Sequence, residues 1–80
     1  MSEADKLFEI LGYEKTEMKT MSGKIWGIRY VSDRQYIRIT FDLTDHMICM
    51  ADNSDGGAVY ITAEELSAIN EKCKELGWEE

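Results

Sequence analysis

Asp45, His46 and Cys49 are the residues whose types could carry chemistry, as a nucleophilic thiol with a base and an orienting acid. Such a nucleophile needs its base within hydrogen-bond reach and a third group to hold that base. His46 and Cys49 are three residues apart in a segment that alternates like a strand, so their side chains point to opposite faces. The pair cannot meet. The two read as a histidine at the end of a hairpin and a small buried or half-exposed cysteine. Asp52-Asn53-Ser54-Asp55-Gly56-Gly57 has the look of the start of a calcium loop. Counting either glycine as the sixth position puts Thr62 or Ala63 at the twelfth, where the bidentate glutamate belongs. Dense in turn formers, the segment reads as a turn. The chain contains no glycine-rich phosphate loop, metal-ligand spacing or nucleophile motif. Neither an enzymatic activity nor a cofactor is expected.

Six carboxylates, Glu64, Glu65, Glu71, Glu75, Glu79 and Glu80, crowd the C-terminal segment. With Lys72 and Lys74 interleaved, they read first as a solvated helix face. The sharper alternative is a surface that imitates DNA phosphates and occupies a nucleic-acid-binding protein. Net charge is -7, which disfavours a general binder of phosphate backbones. Charge is also uneven. Residues 15–38 hold six basic residues against Glu17 and Asp33, whereas residues 39–80 are strongly acidic. Cys49 and Cys73 lie far apart and outside any CxxC pattern, so two reduced thiols are expected. No apolar run approaches the roughly 18 residues that a membrane span needs. The start, Met-Ser-Glu-Ala-Asp-Lys, lacks the basic and apolar regions of a secretory signal, and a cytoplasmic location is expected.

The elements that position these residues are organised around Gln35 to Leu43. Ile37, Ile39, Phe41 and Leu43 share one parity, and Tyr36, Arg38, Thr40 and Asp42 the other, the pattern of a strand buried on one face. Lys24 to Val31 precedes it as a strand. A two-residue turn at Asp33-Arg34 would pair Trp26 with Phe41, Ile28 with Ile39 and Tyr30 with Ile37, and a longer loop of the same parity is equally acceptable. A turn at Thr44-Asp45 leads into His46 to Ala51, pairing Phe41 with Ile48 and Ile39 with Met50. Ala58 to Ile61 reads as a short last strand, and residues 14–23 as a connection able to hold an irregular edge strand.

A helix stands at each end of the sheet. Ser2 caps the first, with Asp5 completing a capping-box-like pair, and Leu7, Phe8, Ile10 and Leu11 are its apolar side. Gly12 ends it in a Schellman-type stop. Thr62 and Glu65 form the capping box of the second, Leu66, Ile69, Cys73 and Leu76 are its apolar stripe, and Gly77 ends it. The expected fold is a single α+β domain over residues 1–80. It consists of an N-terminal helix, a three- to four-stranded antiparallel meander and a C-terminal helix, with both helices on one face of the sheet. Phe41, Ile39, Trp26 and Leu66 are expected among the most buried residues.

The opposite sheet face would carry Ile25, Arg29, Val31, Tyr36, Arg38, Met47 and Cys49. This register sets Arg29 directly against Arg38, and like charges facing across strands are destabilising. Arginine mixed with Tyr, Ile, Val and Met is the composition of an interface rather than of a solvated sheet. These residues are the candidate interaction surface, for a protein partner or for a second copy of the chain. Direct binding of nucleic acid or of a membrane is not expected.

Lys6-Leu7-Phe8, Leu11-Gly12-Tyr13, Ile39-Thr40-Phe41-Asp42, Ile61-Thr62, Leu66, Ala68-Ile69 and Lys74-Glu75-Leu76-Gly77-Trp78 together resemble small uncharacterised proteins of phages and prophages in Gram-positive bacteria. The resembling motifs are caps and core residues. The resemblance implies a bacterial or viral cytoplasmic setting and carries no activity, so no functional residue transfers from it.

Overall fold

Ser2 opens the first helix by accepting the Asp5 N–H on its hydroxyl at 3.1 Å, and α1 runs Glu3–Ile10. Gly12, at φ 90°, turns the chain out of the helix into β1 (Tyr13–Lys19). There follow β2 (Ile25–Ser32), β3 (Arg38–Asp42), β4 (Met47–Ala51) and α2 (Ala63–Leu76). The computed structural model describes residues 2–32, 37–52 and 59–78. The sheet is a four-stranded antiparallel meander in the order β1-β2-β3-β4, with both helices on its inner face, as alternation and capping predict.

The inner face brings Phe8 of α1 together with Tyr13, Ile28, Tyr30, Ile37, Ile39 and Phe41 of the sheet side and Ala68 and Ile69 of α2. Phe8 lies flat on Tyr30 with centroids 3.9 Å apart, and Phe41 meets both rings edge-on. Phe41 and Ile39 are fully buried, which suits a strand at the centre of the core.

Several details depart from the sequence pattern. Ile28 faces Phe41 and Tyr30 faces Ile39, so β2 and β3 are displaced by two residues from the pairing expected of a two-residue turn. Parity survives this shift, because a slip of two keeps each side chain on its face. The Asp33-Arg34 turn and Gln35-Tyr36 lie outside the described residues. The β3–β4 register matches the expected one, with Phe41 against Ile48 and Ile39 against Met50. Its turn is held by the Asp42 carboxylate, which accepts the N–H groups of Thr44 and Asp45 at 2.9 and 3.1 Å. His46 sits in that turn at φ 54° rather than on the strand. The segment read as a connection able to hold an irregular edge strand does hold one: β1 is an edge strand of seven residues whose register shifts between Met18 and Lys19. By contrast, Val59 to Ile61 form no strand, and Ala58 lies outside the described residues.

Trp26 and Leu66 are not core residues: they are 39% and 49% exposed. Trp26 sits where the β1–β2 register shifts, between Met18 and Lys19 opposite, and a bulge breaks the alternation that would have turned it inward. On α2 the buried residues are Glu65, Ala68, Ile69 and Lys72. The inward stripe is therefore Glu65, Ile69, Lys72 and Leu76, rotated from the all-apolar one, and Leu66 falls on its flank. Ile10 of α1 is likewise exposed.

The ends of α2 follow the expected chemistry. Thr62 and Glu65 make a complete capping box. At the other end Gly77 (φ 74°) donates to Lys74 C=O and Trp78 to Cys73 C=O, a Schellman pair. Thr62→Ala is expected to cost about 1 kcal/mol. Gly77→Ala should cost about as much, because alanine resists the left-handed backbone. The sites share no partner, so urea melts of the double variant should give the sum of the two losses. A stabilising Gly77→Ala would show that residue 77 is helical in solution.

Candidate interaction surface

Antiparallel pairing arranges the outer face in rows that run across the strands. One row is Glu14, Val31, Arg38 and Ala51; the next is Thr16, Arg29, Thr40 and Cys49; the third is Met18, Gly27, Asp42 and Met47. Arg29 thus faces Thr40, and its Nε donates to Thr40 Oγ1 at 3.2 Å. It does not face Arg38, which lies between Val31 and Ala51. The like-charge contact expected from the two-residue turn is absent, and the two-residue register shift is the reason. Glu14 and Asp42 share the face with Arg29 and Arg38, so its charges balance.

Of the predicted surface residues, Arg38, Met47, Ile25 and Cys49 are exposed, and Arg29 and Val31 are half-buried. Ile25 sits at the register shift opposite Lys19 rather than within the regular rows. Tyr36 lies outside the described residues. Gly27 leaves room that Met18 occupies: a Cβ there would lie 2.7 Å from the Met18 methyl. Met18 therefore covers one end of a face on which Met47 is 61% exposed.

No protein family, curated protein or solved structure matches the chain.

A second cluster, on the inner side, was hidden from sequence reasoning. Asp5 accepts the Tyr30 hydroxyl at 2.5 Å and the Lys15 ammonium at 2.9 Å, and the Lys72 ammonium stands 3.5 Å away. The Asp5 carboxylate is thus engaged across the core instead of reaching back to its own helix end. Lys72, only 1% exposed, also donates to Glu75 and lies 5.9 Å from the Tyr30 ring centroid. Beside it the Tyr13 hydroxyl donates to Glu65. Burial pushes the Asp5 carboxyl up, but bonds from Tyr30 and Lys15 and the charge of Lys72 outweigh it and hold the group at about 2. Burial, and then the bond to a carboxylate, raise the Tyr30 and Tyr13 hydroxyls. Asp5 stays ionised and both tyrosines stay protonated at neutral pH. Together these groups fasten the helices to the sheet.

The acidic helix is partly committed in the same way. Glu65 is buried in its cap, Glu75 pairs with Lys72, and Glu71 lies 3.4 Å from Lys74. Glu79 and Glu80 lie outside the described residues, as does the loop Asn53–Gly57 in which the calcium-like pattern falls. Among the described residues no three His, Cys, Asp or Glu side chains are grouped to hold a metal ion. Neither Cys49 nor Cys73 is in a disulfide. Among the described residues no helix is long and apolar enough to cross a membrane.

Proposed function

We propose that the chain is a small non-enzymatic interaction module of phage or prophage type, acting in the cytoplasm and binding a protein partner or a second copy of the chain through the outer face of its sheet. The observation that carries the reading is the two-sided inequality of the sheet. Both helices cover one face, while the other presents Arg29 and Arg38 among Val31, Met47, Met18 and Ile25. Arginine and methionine are enriched in interfaces, and the face is apolar enough between its charges to gain from being covered. Its guanidinium groups fit carboxylates, and the acidic α2 of another copy is one such surface. Mimicry of nucleic acid has less to draw on, because Glu65, Glu71 and Glu75 are already engaged within the chain.

Arg38→Glu is the discriminating variant, since Arg38 is exposed and belongs to no ion pair within 4.0 Å among the described residues. Captured from a host lysate on the immobilised protein, the partner should be lost with Arg38→Glu and should elute as salt rises. If Arg38→Glu and Arg29→Glu both retain every partner of the parent protein, the face is a solvated sheet and the proposal fails.

A further inference from the structure

The sheet has two edges of opposite character. β1 reads Tyr-Glu-Lys-Thr-Glu-Met-Lys and carries four charges, the usual protection against edge-to-edge pairing. β4 reads Met-Ile-Cys-Met-Ala and carries none, nor any proline. No β4 residue joins the buried core, and Ile48 and Met50 are 36% and 41% exposed although their parity is that of the inner face.

The backbone of this edge can be assigned. Leu43 N–H donates to Trp26 C=O, and Ser32 N–H donates to Ile37 C=O. Odd-numbered residues of this stretch thus bond toward β2, and Arg38, Thr40 and Asp42 bond toward β4. Their partners Ala51, Cys49 and Met47 bond back. The N–H and C=O groups of Ile48 and Met50 therefore point away from β3, toward an edge on which no described strand pairs.

We infer that β4 pairs antiparallel with β4 of a second copy, about a two-fold axis at Cys49, to make one continuous eight-stranded sheet. The register follows from the outward groups. Ile48 of each copy faces Met50 of the other, and each pair exchanges two hydrogen bonds, while Cys49 faces Cys49 in the closer, non-bonded position. A two-fold contact must be self-complementary. This one is, because the strand is uncharged and its two outward residues satisfy each other. Ile48 and Met50 of both copies then form one apolar strip on the helix side. The pairing uses the edge and not the outer face, so it does not depend on the function proposed above. It is also insensitive to salt or strengthened by it, since each copy carries a net charge of -7.

Facing Cα atoms at a non-bonded position lie about 4.5 Å apart, inside the roughly 4.4–6.8 Å that a disulfide spans. Two equivalents of copper(II)–phenanthroline each take one electron from the two Cys49 thiols, whose two protons pass to the buffer, leaving one sulfur–sulfur bond and two copper(I) complexes. Oxidation should thus trap a covalent dimer of twice 9.2 kDa. Cys73→Ser should leave it unchanged and Cys49→Ser should abolish it. A thiol moved along the strand, in Met47→Cys with Cys49→Ser, should not cross-link, because residue 47 faces Ala51 of the other copy. Sedimentation of the unoxidised protein should show reversible dimer at concentrations up to roughly 1 mM. Met50→Pro, which removes an outward N–H without touching the β3 ladder, should return it to monomer. Ile48→Lys, which places two like charges diagonally across the axis, should do the same. A parent protein that stays monomeric throughout overturns the inference. So does cross-linking through Cys73 or residue 47, or a dimer that survives both edge variants. Arg29→Glu should leave this dimer intact, which separates failure of the edge from failure of the outer face.

Discussion

Phe41→Ala is expected to remove about 3–5 kcal/mol of stability. The side chain is fully buried and packs against Phe8, Tyr30 and Trp78 at once. It lies on a strand with a neighbour on either side, so the surroundings have little freedom to collapse into the space. A chain of 80 residues has a margin of only several kcal/mol, and the variant should be largely unfolded at room temperature. Leu66→Ala is the internal control. Being half exposed on the flank of α2, it should cost about 1 kcal/mol or less. Circular dichroism melts of the two side by side decide the matter, and equal losses would contradict the position of α2 described above.

Asp5→Ala is expected to cost a similar amount, about 3–5 kcal/mol, for a different reason. It leaves the buried Lys72 with the half-exposed Glu75 as its remaining carboxylate, and the Tyr30 hydroxyl without its acceptor. Asp5→Asn keeps an acceptor for Tyr30 and should cost about 2 kcal/mol. The acid limb carries the signature. The Asp5 carboxyl is lowered from 3.8 to about 2 in the folded chain, so its contribution is complete above about pH 4 and disappears as pH falls toward 2. Glu75, also lowered through Lys72 and Ser2 despite the opposing effect of burial, acts with the same sign. The parent should therefore lose melting temperature steeply between pH 4 and 2, and Asp5→Asn should lose distinctly less. Identical acid limbs would remove Asp5 from this role.

Periodicity was enough to read the sheet's inner and outer faces, the β3–β4 register and both caps of α2, because each is written in local spacing. Side-chain parity survived even where the β2–β3 pairing moved by two, since alternation constrains the face and leaves the slip free. What that pattern could not supply was the identity of the partner across a strand, and the supposed Arg29–Arg38 contact was lost for that reason. The deeper misreading concerns charge. Glu65, Ile69, Lys72 and Leu76 have helical spacing as good as that of Leu66, Ile69, Cys73 and Leu76, and they are the stripe that turns inward. Charged residues are rarely buried unless paired, and beside the local partners Thr62 and Glu75 the pairing is completed by Tyr13 for Glu65 and Asp5 for Lys72, which lie 52 and 67 residues away. Nothing in local spacing announces a partner that distant.

The fastening between Asp5 and Lys72 also has a temporal meaning. Every strand pairing joins sequence neighbours, so the meander can assemble through short loops. The two helices come from opposite ends of the chain, and their contact closes nearly its whole length. Loop closure grows costlier with the number of residues enclosed, and contacts between distant residues are the slow ones to form. The sheet can therefore assemble as a template on which the helices dock late. A fastening made after the rate-limiting step does not hasten folding. It slows escape, and its loss in Asp5→Asn belongs to the unfolding limb of a chevron. The buried charges would then serve as a latch on the folded state, prolonging its lifetime more than they guide the chain toward it.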